Sequence, residues 1–127
     1  MAEFRLSQRS LDRLLGVHPD LVRAVRRAIE ITPVDFVVLE GLRTKERQLE
    51  LVNAGASWTM NSRHITGHAV DLGAYVAGEI RWDWPLYDKI AKAVKQAAVE
   101  LGVHLTWGGD WKVKDGPHFE LSREVYP

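Results

Sequence analysis

The sequence predicts an α+β fold: a single small domain over residues 1–127, with a mainly antiparallel sheet and flanking helices. Three observations predict it. Apolar residues recur at helical spacing across residues 21–29 and 86–101. Short strand-like runs occur at 36–39, 69–72, 104–107 and 118–121, the last of them close in sequence with short links. The 127 residues are 46% hydrophobic, enough for one real core and too apolar for disorder.

Taken in order, Ser10 precedes Leu11, Leu14 and Leu15 and reads as the cap of a short helix ending near Gly16. Pro19-Asp20 opens a second helix, whose core face is Leu21, Val22, Val25, Ala28 and Ile29. Thr32-Pro33 stops it. Phe36-Val37-Val38-Leu39 reads as a buried strand ended by Gly41. A third helix is expected over residues 44–54, with Thr44 as N-cap and Gly55 at its C-terminal end.

Residues 56–67 read as a loop that delivers His64, and 69–72 as a strand. Side chains alternate along a strand, so Asp71 shares a face with Ala69 and Gly73. His68, Val70 and Leu72 then point the other way. A hairpin is expected between 73 and 81 around Ala77-Gly78. Trp84-Pro85 leads into a long helix over 86–101, with the apolar stripe Ile90, Ala93, Val94, Ala97 and Leu101 and Gly102 as its stop. Gly108-Gly109-Asp110 reads as a turn between the last two strands.

Bulk properties exclude several classes of function. Lys plus Arg and Asp plus Glu both count 17, so no net charge draws the chain to nucleic acid or anionic membranes. The Arg23, Arg26, Arg27 cluster reads as a solvated helix face. No stretch approaches the ~20 apolar residues of a membrane span, and Met1-Ala2-Glu3-Phe4-Arg5 lacks the form of a signal peptide. Cysteine is absent, so a metal would have to sit on histidine and carboxylate ligands.

Two segments carry chemistry. Ser62-Arg63-His64-Ile65-Thr66-Gly67-His68-Ala69-Val70-Asp71 and Asp115-Gly116-Pro117-His118 together supply two imidazoles and one carboxylate, with Asp115 to spare. Three protein ligands and an open position follow the plan of a catalytic zinc site. A spare acid beside the bound water is what metal-assisted hydrolysis needs. Spacing alone leaves an alternative open, in which His64 caps a loop and Asp71 accepts backbone hydrogen bonds in a turn. Gly67 permits close backbone approach, Ala69 keeps the face beside Asp71 small, and Gly116-Pro117 fixes a turn near the site.

The pattern Ser62-x-His64-x-x-Gly67-x-Ala69-x-Asp71, followed by Asp115-x-x-His118, resembles the LAS metallopeptidases of peptidoglycan. Further matches are Gly41-Leu42-Arg43-Thr44 with Arg47-Gln48, and Trp107-Gly108-Gly109-Asp110-Trp111. The resemblance spans about residues 35–121, and the four elements occur in the family's order. The resemblance implies a hedgehog-like and D-alanyl-D-alanine-peptidase-like fold. It implies one zinc ion per chain on His64, Asp71 and His118, and Asp115 as general base.

By the same resemblance Arg43 binds the substrate carbonyl and developing oxyanion, although the residues alone favour an ion pair with Glu40 or Glu46. Ser62 becomes a hydrogen-bond donor to substrate or to a ligand, with an ordinary loop serine as the alternative. Trp107 and Trp111 flank a segment at the cleft wall, and Asp110 supports the turn or touches substrate. Trp58, Trp82 and Trp84 are expected in core or rim packing. His18 and His104 have no motif around them and read as surface or strand histidines.

The tryptophan-glycine segment resembles the phage endopeptidases most, which cut between L-Ala and D-Glu of the peptidoglycan stem peptide. A D-alanyl-D-alanine carboxypeptidase or dipeptidase is the second reading, and a non-catalytic zinc-containing binding module the third. Asp115 and Arg43 speak against the last. With no signal peptide, the expected protein is a monomeric phage lysin. It would gather in the host cytoplasm and reach the wall in the periplasm once a membrane pore opens.

Overall fold

The computed structural model describes residues 4–57 and 59–127. Trp58 and residues 1–3 lie outside it, and with them the packing expected of Trp58 and most of the N-terminal segment read for a signal peptide. Among the described residues four helices and five strands follow in the order α1 (Gln8–Arg13), α2 (Pro19–Ile31), β1 (Phe36–Glu40), α3 (Lys45–Asn53), β2 (Ala69–Val76), β3 (Glu79–Arg81), α4 (Trp84–Leu101), β4 (Leu105–Trp107) and β5 (His118–Leu121). A 3₁₀ turn, Gly108–Asp110, separates the last two strands. The sheet runs β1-β2-β5-β4, and every pairing in it is antiparallel.

β2 organises the sheet because it is long enough to serve three partners. β1 lies along one edge, while β5 and β3 share the other, pairing at Ala69–Asp71 and Ala74–Val76. Val70, Leu72 and Ala74 of β2 point into the core with Phe36, Val38, Phe119 and Leu121. The faces of α2 (Leu21, Val25, Ala28) and α4 (Tyr87, Ile90, Val94, Ala97) close that core from one side. The opposite sheet face carries Asp71, His118 and Glu120, and there the cleft forms.

Most boundaries follow the expected ones, and the departures have local causes. α1 is capped by Ser7, whose hydroxyl accepts the Ser10 amide at 3.1 Å, so the cap stands three residues before the expected one. Ser10 is instead buried, and its hydroxyl accepts the Val38 amide at 2.9 Å. Arg13 Nη1 donates to the Val38 carbonyl, also at 2.9 Å. α1 thereby satisfies both backbone groups that β1 presents on its free edge at Val38.

Thr44 caps α3 as expected, accepting the Arg47 amide. β2 runs four residues past the expected end because the Ala77-Gly78 turn, with φ of 53° and 79°, folds β3 back onto it. Positive φ at both central residues matches the right-handed twist of a two-residue hairpin. α4 begins at Trp84 rather than Leu86 and stops at Gly102 (φ 70°). Tyr87 locks α4 to the hairpin: its hydroxyl accepts the Ala74 amide and donates to the Arg81 carbonyl.

Trp84 stacks on Trp107 at the rim, whereas Trp82 is 63% exposed and only its flat face meets Tyr87. His104 is exposed and lies just before β4, and His18 caps α2 by accepting the Asp20 amide. No helix among the described residues is long and apolar enough to cross a membrane.

Candidate metal centre

Strand register builds the centre. Asp71 lies opposite Glu40 on one side and His118 on the other, so Asp71 and His118 share a face as a cross-strand pair. The His64 loop is brought to them by two backbone bonds, from the Arg43 amide to the His64 carbonyl and from the His18 amide to the Gly67 carbonyl. The second needs glycine. Gly67 has φ of 75°, and a Cβ there would stand 2.5 Å from the Gly16 carbonyl oxygen. The Asp115–His118 turn closes from below, with the Asp115 amide on the Gly108 carbonyl. Gly108 allows this contact, since its own Cβ would fall 2.4 Å from the Asp115 carbonyl oxygen.

His64 Nε2 and His118 Nδ1 each lie 3.2 Å from Asp71 Oδ1, and the three donor atoms are within 4.8 Å of one another. The second nitrogen of each ring is engaged away from the centre. His64 Nδ1 meets the Gly41 carbonyl at 2.9 Å, and His118 Nε2 meets Glu120 Oε1 at 2.9 Å. A carbonyl only accepts, so His64 Nδ1 donates to Gly41 and Nε2 is the ring atom that would take a metal beside Asp71. Four-coordinate zinc with bonds of about 2.1 Å sets its donors about 3.4 Å apart, near the 3.2 Å spacings here. Two imidazoles held by outer acceptors and one carboxylate therefore fit zinc.

The electrostatics agree. Burial pushes the Asp71 carboxyl up, but the His118 and His64 imidazoles outweigh it and hold the group well below the usual carboxylate range. Burial pulls His118 down, yet Asp71 and Glu120 on its two nitrogens push it up to about 9. Without metal, the ring keeps a proton between two carboxylates. Its stabilising effect is complete below the ordinary histidine value of 6.5 and is lost as pH rises through about 9. The Asp71 contribution is present above its ordinary 3.8 and is lost only in acid. Chelator-treated protein is therefore expected to show a melting temperature that falls steadily from pH 6.5 to 9. A thermal denaturation series across that range checks it, and a flat or rising profile contradicts it.

Asp115, Arg43 and Ser62 line the same open cleft of about 380 Å³. Asp115 reaches solvent, but desolvation of its carboxyl and then the nearby Asp71 charge raise its pKa. Arg43 is nearly enclosed. Its Nη2 pairs with Glu40 and lies 3.9 Å from Asp71 Oδ2, while Nη1 donates to Gln48 Oε1 at 2.7 Å. The ion pair with Glu40 and the placement beside the centre thus occur together. Ser62 Oγ accepts the His64 amide at 3.2 Å and a longer bond from Arg43 at 3.5 Å, which fixes the loop entering the first histidine.

Trp107 and Asp110 do not line the cleft. Trp107 is buried, stacked between Trp84 and Phe119, with its indole N–H on the Gly116 carbonyl at 2.7 Å. It supports the Asp115–His118 turn from behind. Asp110 faces α4 and pairs with Lys95. Trp111 is the tryptophan at the cleft, its ring 5.0 Å from that of His118. His68 lies on the other side of the strand from Asp71, near His18.

Two residues with no role assigned from sequence, Gln48 and Glu120, also shape the site, as does Glu40, the expected ion-pair partner of Arg43. Gln48 is fully buried and joins Arg43 to Ser57 and the Thr59 carbonyl, tying α3 to the loop. Glu40 holds Arg43, and Glu120 holds His118. Glu120 was legible: it stands two residues after His118 on a strand and so shares its face.

The profile of the phage L-alanyl-D-glutamate peptidase family matches residues 1–126. The L-alanyl-D-glutamate peptidase of Escherichia phage T5 is 35% identical over 127 residues, covering 97% of this chain and 93% of its own. That of Listeria phage A118 is 37% identical over 98 residues, covering 76% of this chain but 34% of its own. The crystal structure of the L-Ala D-Glu endopeptidase ChiX of Serratia marcescens superposes with a TM-score of 0.93 at 53% identity, covering 98% of this chain and 95% of that one. With a fold and a match that run nearly end to end, the chain belongs to the phage L-alanyl-D-glutamate peptidase family.

Proposed function

We propose that this protein is a zinc-dependent endopeptidase that hydrolyses the L-Ala–D-Glu bond of the peptidoglycan stem peptide. The observation that carries the reading is the convergence of His64 Nε2, Asp71 Oδ1 and His118 Nδ1 beside Asp115, in a chain of this family. A zinc ion held by those three residues would acidify a water molecule and polarise the scissile carbonyl.

The protein's own groups do the rest. Asp115 accepts the proton of the attacking water and returns it to the leaving amine, and its raised pKa suits both steps. Arg43, fixed by Glu40 and Gln48, sets a permanent positive charge beside the centre, where negative charge develops on the carbonyl oxygen. Ser62 and Gly41 hold the His64 loop and ring in place. Trp111 offers an apolar wall against which the peptide can lie. As a lysin the protein would act as a monomer on the cell wall after release from the host cytoplasm.

Mass spectrometry of Gram-negative peptidoglycan digested with the zinc-loaded protein tests this. Peptides with a new D-Glu N-terminus, and glycan retaining L-Ala, are expected. Release of terminal D-Ala alone would overturn the choice of bond.

A further inference from the structure

Glu120 takes no part in the steps above, yet it is only 6% exposed. A buried carboxylate is costly unless it is paired, so its partners indicate its use. Oε1 meets His118 Nε2 at 2.9 Å, on the opposite side of the ring from the nitrogen that faces Asp71. Oε2 faces the guanidinium groups of Arg123, at 3.5 Å, and Arg63, at 3.8 Å. Arg63 is held in turn, because its Nη2 donates to the carbonyls of Leu121 and Tyr126. It also directly precedes His64 in the chain. Across the strand from Glu120 stands Ala69, whose methyl group leaves room for the carboxylate.

We infer that Glu120 is a positioning residue for the centre: it holds the His118 ring with Nε2–H on its carboxylate and Nδ1 turned to the metal. Arg63 and Arg123 draw the other carboxylate oxygen away, so that only Oε1 faces the imidazole. Arg63 thereby links the loop of one ligand to the ring of another. The inference rests on His64, Asp71 and His118 being the zinc ligands.

Glu120→Ala and Glu120→Gln test it. Each protein is stripped, reloaded and titrated with zinc against a chromogenic chelator. Nitrogen and proton NMR of the zinc-loaded forms reads the His118 ring. The alanine variant is expected to bind zinc about 10–100-fold more weakly and to lose the slowly exchanging Nε2–H signal. The glutamine variant, whose amide oxygen still accepts, is expected to recover part of the affinity and the signal. A role in packing alone would not move that proton.

Zinc affinity and His118 signals unchanged in both variants would overturn the inference. If the alanine variant does not fold, glutamine decides: weakened binding supports the role, and unchanged binding with an unchanged signal overturns it. If the unaltered protein takes up no zinc, the ligand reading falls and takes this inference with it. If the unaltered protein binds zinc and the variants match it, only this inference falls.

Discussion

Chelator treatment is expected to abolish peptidoglycan cleavage, and one equivalent of zinc per chain to restore it. The expectation follows from the donor set. Two imidazoles and a carboxylate within 4.8 Å of one another have no other evident use on this sheet face, and each ring is already oriented by an outer acceptor. Asp71→Ala is expected to act like the chelator but without rescue. It removes the one anionic donor and leaves two imidazoles that would repel each other when protonated. Metal content after dialysis, measured by emission spectroscopy, should be well below one per chain. Full activity in the presence of chelator would end the metal mechanism.

Asp115→Ala is expected to keep zinc bound and to slow turnover by about 10²–10⁴-fold, the usual worth of a positioned base. The separation is possible because Asp115 makes no hydrogen bond to any of the three candidate ligand side chains, though its backbone shapes the turn before His118. Alanine preserves that backbone. The measurements are zinc stoichiometry and kcat on purified stem peptide. Near-normal turnover with normal zinc would remove Asp115 from the base role. Lost zinc would show instead that its side chain holds the turn.

What the sequence made legible was what depends on neighbours in the chain. Period-two alternation assigned Asp71 to one face and Val70 and Leu72 to the other, and the structure keeps that division, with the latter two in the core. Thr44 as a helix cap and Gly102 as a helix stop are likewise local effects. Ser10 misled because serine before an apolar helical run usually caps it, whereas this hydroxyl serves a strand 28 residues away. The tryptophan-glycine segment was located by motif, but side-chain direction was settled by packing. Trp84 and Phe119 draw Trp107 inward, Lys95 draws Asp110 to α4, and Trp111 is left at the cleft. Gln48 sat within a quoted motif, but its three partners belong to segments that meet only in the folded chain.

The two side chains that α1 lends to Val38 bear on the company this protein can keep. A bare β1 margin would offer a neighbouring copy the amide and carbonyl it needs to dock a strand of its own. Ser10 and Arg13 occupy both groups in advance, so α1 acts as a selvedge that keeps the sheet from being lengthened at its β1 edge by another molecule. A protein present at high concentration would gain from such an arrangement, since crowding favours strand-to-strand aggregation.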